Sequence, residues 1–145
     1  MARIGERAEP YLTSKFHVEI EGVEQASFAE CSGLALETEV FEYEEGGLNE
    51  YVHKLPGRSK VSNVTLKRGI TDSNELWSWY RDVVQGKIKR KNVSVVLYDL
   101  GGNEVMRWSF IDAYPIKWSG PAFNASANAI SVETLELAHR GINLS

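Results

Sequence analysis

From Lys15 to Glu21 the apolar residues Phe16, Val18 and Ile20 alternate with Lys15, His17, Glu19 and Glu21, the two-residue period of a half-buried strand. Gly22 turns the chain, and a second short strand is predicted from Ala26 to Cys31, followed by Ser32-Gly33. A longer strand is predicted from Leu34 to Glu45. There Leu36, Thr38 and Val40 share one face, while Glu37 and Glu39 on the other face give way to Phe41 and Tyr43. One face cannot be both core and solvent, so the swap predicts a bulge, a bend, or a strand that leaves its own sheet to contact something else. From Gly46-Gly47 through Leu55-Pro56-Gly57 to about Lys60 there is little periodicity, which predicts a long loop, and loops of that length are usually functional or disordered.

Val61 to Lys67 reads as a strand closed by Arg68-Gly69. One helix is predicted, over about residues 73–85: Asp72 with Glu75 three positions on fits a capping box, and Leu76, Trp77, Tyr80, Val83 and Val84 recur at helical spacing. Gly86 fits a left-handed C-terminal cap. Val93 to Asp99 is a strand with apolar residues on both faces. Gly101-Gly102-Asn103 is a hairpin turn signal, and Glu104 to Trp118 resumes strand character. In the last strand, Ala129 to His139, Ile130 and Val132 on one face hand over to Leu135 and Leu137 on the other. Seven or eight strands around one helix predict a mainly β fold, an antiparallel β-sandwich or barrel of two packed sheets. Residues 1–12, charged and small, read as a flexible arm before a single domain over 13–145.

Length and composition agree with one such domain. At 145 residues, 43% hydrophobic and 25% charged, the chain carries enough apolar material for a core and is short for a multidomain enzyme. The single cysteine, Cys31, has no internal disulfide partner, and residues 1–30 lack the apolar stretch of a signal peptide, so folding in a cytoplasm is expected. The net charge of −4 excludes a nucleic-acid-coating protein and hides an asymmetry. Residues 1–50 hold twelve Glu against three basic side chains, whereas residues 51–100 hold ten Lys or Arg against four acidic ones. Either the fold presents two opposite surfaces suited to head-to-tail association, or it interleaves the segments and the charges average out.

Catalytic chemistry is sparse. His17, His53 and His139 fall in three separate segments without metal-ligand spacing, so no metal or cofactor is expected. No Gly-x-Ser-x-Gly elbow is present, and Gly46-Gly47 lacks the Lys and Ser/Thr of a phosphate loop. The Glu-rich run from Glu37 to Glu45 alternates with apolar residues and reads as a solvated face or an interface rather than an acid/base pair. The basic run Lys87 to Lys91 has no interleaved aromatics and reads as a connector, or as a partner for the Glu-rich segment of another copy. No catalytic constellation results, and no enzyme is expected.

Ordered blocks along the chain carry a resemblance. Glu30-Cys-Ser-Gly-Leu34, Glu37-Thr-Glu-Val40, and Glu42-Tyr43 followed by Gly46-Gly47 and Asn49 resemble the inner tube proteins of contractile phage tails and phage-tail-like injection systems. Leu55-Pro56-Gly57, Leu66-Lys67-Arg68-Gly69, Leu76-Trp77 with Trp79, and Arg107-Trp108 leading to Ala113-Tyr-Pro115 continue the match in the same order. So do Gly120-Pro121, Phe123-Asn124-Ala125 and Val132-Glu133-Thr134-Leu135-Glu136-Leu137, giving a span of roughly residues 14 to 141.

The resemblance implies a structural, non-enzymatic subunit. It implies a β-barrel of two antiparallel sheets with one helix, similar to the type VI secretion tube protein, assembled as hexameric rings that stack into a hollow tube. Implied partners are other copies of the chain, a contractile sheath protein, baseplate or spike and tube-terminator proteins, and a cargo of DNA or effector protein in the lumen, without membrane insertion. Within that frame the segment from Gly46 to Lys60 is the candidate ring-to-ring contact. Glu42, Glu44 and Glu45, beside Gly46 and Gly47, would face Lys54, Arg58 or Lys60 of another copy. The competing reading from another class is a monomeric barrel that binds a small ligand inside the same alternating strands.

Overall fold

The computed structural model describes residues 9–25, 28–43 and 53–145. Among these, strand follows strand with one helix between: β1 (Phe16–Ile20), β2 (Val23–Gln25), β3 (Phe28–Ser32), β4 (Leu36–Tyr43), β5 (His53–Val61), β6 (Val64–Gly69), α1 (Glu75–Val84), β7 (Lys91–Tyr98), β8 (Glu104–Ser119), β9 (Val132–Ala138) and β10 (Gly141–Leu144). All strand pairs are antiparallel. The body is one continuous path, β2-β1-β7-β8-β9-β6-β3, with β10 also on β8, while β4 and β5 pair only with each other. The path does not close, so the expected architecture of two sheets is present as an open sandwich and not as a barrel.

β8 joins the halves. Its N-terminal part pairs with β7 and β10, its C-terminal part with β9. Between them Asp112 takes a positive φ of 51°, unusual for a residue with a Cβ, and the register slips again between Pro115 and Lys117, where proline removes a ladder donor. The bend is held: the Asp112 amide donates to Asn92 Oδ1 at 3.1 Å, and Arg140 Nε lies 3.3 Å from Asp112 Oδ2. A single strand can therefore serve two sheet halves that fold over one core.

The core follows the alternation. Val18 and Ile20 from β1, Val93 from β7, Phe110 and Ala113 from β8, Val64 and Leu66 from β6, and Leu135 and Leu137 from β9 form one buried cluster, closed by Leu76 and Trp79 of α1. One charged pair shares this interior. Arg68 on β6 and Glu133 on β9 are 2% and 5% exposed and bond through Nε and Oε1 at 3.0 Å. Such a pair is costly to break one-sidedly, because the remaining charge would be buried alone.

Local signals explain the ends of the elements, with corrections. The β1–β2 turn places Glu21 and Gly22 both at positive φ, as a tight two-residue hairpin turn requires. Helix α1 ends in a full Schellman arrangement: Lys87 N–H donates to Asp82 O at 2.8 Å, Gly86 N–H donates to Val83 O at 3.0 Å, and Gly86 has φ 85°. At the other end the expected Asp72 cap is not used. The N-cap is Asn74, without a side-chain cap bond, and the Glu75 amide lies 3.5 Å from Ser73 Oγ. Asp, Ser and Asn in succession are all competent caps, so composition could not choose among them. The expected loop up to Lys60 is also corrected, because His53–Val61 is a strand. Its alternation is hidden by a bulge, with Gly57 and Arg58 together opposing Glu39, and by Pro56, which an unflanked strand tolerates.

Candidate functional site

The arm formed by β4 and β5 is inserted between β3 and β6, which are themselves paired. At its root Gly33, φ 94°, passes so close to the Asn63 backbone that any Cβ would collide with the Asn63 carbonyl, so only glycine fits. Ser62 N–H donates to Ala35 O at 3.2 Å, and His139 Nε2 lies 2.8 Å from Ser62 O, fastening the root to the body. Beyond the root, all eight residues of β4 are exposed, and β5 is exposed except for its two end residues.

The register resolves the face swap read from sequence. Leu36, Thr38 and Val40 lie on one face with Val61, Ser59 and Pro56 opposite them. The bulge adds one residue to β5, so that on the reverse face Phe41 comes to oppose Leu55, and Tyr43 to oppose His53, their rings 6.0 Å apart. Gly57 permits this: a Cβ there would sit 3.1 Å from Glu39 O. The result is a two-stranded ribbon with apolar side chains on both faces and none of them covered: Val40 is 62%, Phe41 58% and Leu55 51% exposed. A lone two-stranded hairpin is marginal in water.

The charged candidates are partly brought together within the chain. Glu42 opposes Lys54 in register, and Lys60 Nζ lies 3.8 Å from Glu37 Oε2. Arg58 sits at the bulge, and Glu44, Glu45, Gly46 and Gly47 lie outside the described residues. Elsewhere Lys67 pairs with Glu30 at 3.6 Å. At these positions the acidic first third and the basic middle third meet across strands of one copy, and such exposed pairs contribute little to stability. Residues that the charge pattern did not single out, Phe41, Tyr43 and Leu55, form the distal apolar face. Their signal was the same swap, whose partner strand the bulge concealed.

Other polar groups have structural partners. Arg107 grips Glu19 with Nη1–Oε1 at 2.8 Å and Nη2–Oε2 at 3.3 Å, and also holds Glu104 at 2.9 Å. His17 Nε2 lies 2.9 Å from Glu19 Oε2. These bonds, Arg107 first and His17 next, hold the Glu19 carboxyl down at about 2. His17 and Arg107 flank Val96 in register, and Val96 is fully buried, so the second apolar face of β7 is covered at that position within one copy. Among the described residues no three His, Cys, Asp or Glu converge as metal ligands, and no helix is long and apolar enough to cross a membrane.

An open β body that sends out an uncovered hairpin is the shape of an assembly subunit, and the comparisons agree. The family described as "T4-like virus tail tube protein gp19" matches residues 12–143. The chain belongs to this tail tube family. No curated protein sequence is significantly similar to it. Among solved structures, it is similar to a chain of the PVC extracellular contractile injection system in its extended sheath–tube complex. That likeness has TM-score 0.85 and 26% identity, covering 94% of this chain and 91% of the other. It is similar to a chain of the anti-feeding prophage tube-terminating cap with TM-score 0.86 and 26% identity, covering 100% and 99%. Hcp1 from Flavobacterium johnsoniae shares the fold, with TM-score 0.57, 17% identity and coverage of 90% and 94%. As a tail tube family member the protein is a structural tube subunit, a component of a phage tail or tail-like particle.

Proposed function

We propose that this tail tube protein is the repeating unit of the inner tube of a contractile injection particle. Copies form hexameric rings, and the rings stack into a hollow conduit through which DNA or an effector protein passes when an enclosing sheath contracts. The observation that carries the reading is the β4–β5 hairpin, whose two apolar faces have no cover in the protomer. A subunit of a repeating assembly meets that need with a second copy of itself. Membership of the tail tube family and the likeness to chains in sheath–tube and tube-cap assemblies support sheath and terminator proteins as partners, and a baseplate is the further partner proposed. The role is non-enzymatic, and assembly takes place in the cytoplasm of the producing cell.

Within the tube the hairpin makes the ring-to-ring contact, with Glu42, Lys54, Arg58 and Lys60 at the seam together with Glu44, Glu45, Gly46 and Gly47. Electron microscopy of the purified protein at high concentration tests the reading. Six-fold rings or tubes are expected, whereas a strictly monomeric species by light scattering favours a ligand-binding module. Arg58→Glu and Lys60→Glu should reduce stacking while single rings persist, and normal tubes from both variants would remove the charged seam from the account.

A further inference from the structure

The inner face of β1, β7, β8 and β10 runs in cross-strand rows whose burial falls off in one direction. The row Ile20, Val93, Phe110 is buried. In the next, Val18 is buried, Val95 and Trp108 are half-buried, and Leu144 is 62% exposed. In the third, Phe16, Leu97 and Met106 are all half-buried. Cover is thus lost towards Met106, away from the bend at Asp112, leaving an apolar ledge at that end of the sheet. Cys31 and the exposed Leu34 overhang the ledge from the opposite half and close it into a cleft of about 210 Å³, whose walls include Phe16, Leu97 and Trp108. Burial pushes the Cys31 thiol up to about 12, as expected beside such an apolar cleft.

We infer that the distal apolar face of the hairpin, Phe41 with Tyr43 and Leu55, docks into this cleft on another copy of the chain. The inference rests on the tube-subunit reading and names the surface that receives the arm. A copy's own arm does not reach its own cleft. β4 starts two residues after Leu34 at the cleft rim, and Phe41 lies five residues further out, roughly 17 Å at strand spacing. Arm and cleft are different surfaces of one chain, so the contact is head-to-tail. A head-to-tail contact repeats into closed rings or open stacks, which is what a tube requires. The cleft has room for one large side chain, and Phe41, Tyr43 and Leu55 on the arm form a cluster of them. Docking removes from water two apolar surfaces that the protomer leaves open.

The test places a photo-cross-linking benzophenone side chain at position 41, mixes isotopically light and heavy protein, assembles it, irradiates it and maps the linked peptides. Cross-links between copies, from position 41 to peptides carrying Phe16, Leu97 or Trp108, are expected. Leu34→Asp, at a position exposed in the protomer, is expected to weaken assembly about tenfold or more, the ratio set by 1.4 kcal/mol. Rings or tubes whose cross-links stay within one chain, reach other surfaces or do not form overturn the docking and leave the tube reading intact. Failure of the unmodified protein to form rings or tubes at all overturns both.

Discussion

β9 and β4 are built from the same kinds of residues and end in opposite environments. In β9, Glu133, Leu135 and Leu137 turn inward and are buried, and the remaining residues sit on a paired sheet. In β4, Leu36, Val40, Phe41 and Tyr43 are as apolar, yet every residue is exposed. Alternation therefore reports that a strand has a face to hide, not which molecule hides it. Apolar area in the body stabilises the protomer, and in the proposed assembly apolar area in the arm stabilises contacts between protomers. Substitutions should separate the two regions in a graded way.

The largest effect on the protomer is expected from Phe110→Ala, at a fully buried position, with a loss of about 3–5 kcal/mol in urea unfolding. A loss of under about 1 kcal/mol would show that Phe110 does not carry the core. Glu133→Gln comes next, at about 3 kcal/mol, because it strands the buried Arg68 charge. Replacing both partners with apolar residues should recover most of that loss, and a double variant as weak as the single one would contradict the explanation.

Glu19→Gln should cost about 1.5–3 kcal/mol at neutral pH, the range for a hydrogen bond to a charged group. Its carboxyl is held at about 2 against an ordinary 4.5, so its contribution is complete above 4.5 and fades as the pH falls towards 2. Unfolding midpoints of the variant and the parent should converge over that window, and a gap independent of pH would break the assignment. The smallest protomer effect belongs to Phe41→Ser, within about 0.5 kcal/mol for an exposed site. The same substitution should abolish tubes in electron micrographs, and normal tubes would erase the contrast between body and arm.

Much of the body was legible because its strands obey one rule. Phe16, Val18 and Ile20 marked β1, the spacing from Leu76 to Val84 marked α1, and Gly86 marked its end. Short elements were not legible. β10 is four residues pinned by β8, and β2 is three residues following a tight turn, so neither has enough length to show a period. The bend in β8 at Asp112 carries no glycine to announce it. The arm was half legible. The face swap from Leu36 to Tyr43 predicted a bulge, a bend or a strand leaving its own sheet; β4 does stand in a sheet apart from the body, but the bulge lies in β5 at Gly57-Arg58, where it scrambled the period into what read as a loop. The charge asymmetry of the sequence is in part interleaved in space, where Glu37 meets Lys60 and Glu30 meets Lys67 across neighbouring strands. Counts of charge along a chain ignore the hairpins that fold one segment onto the next.

The central claim is that the β4–β5 arm is stabilised by assembly and not by its own protomer. Amide hydrogen exchange, compared between the free protomer and the assembled tube, tests it most directly. Amides of β7 around Val93 to Val96 and of β9 around Leu135 should be protected in both states, whereas those of Leu36–Tyr43 and His53–Val61 should exchange rapidly in the protomer and become protected on assembly. Arm amides equally protected in both states, or still unprotected in the tube, would contradict the account.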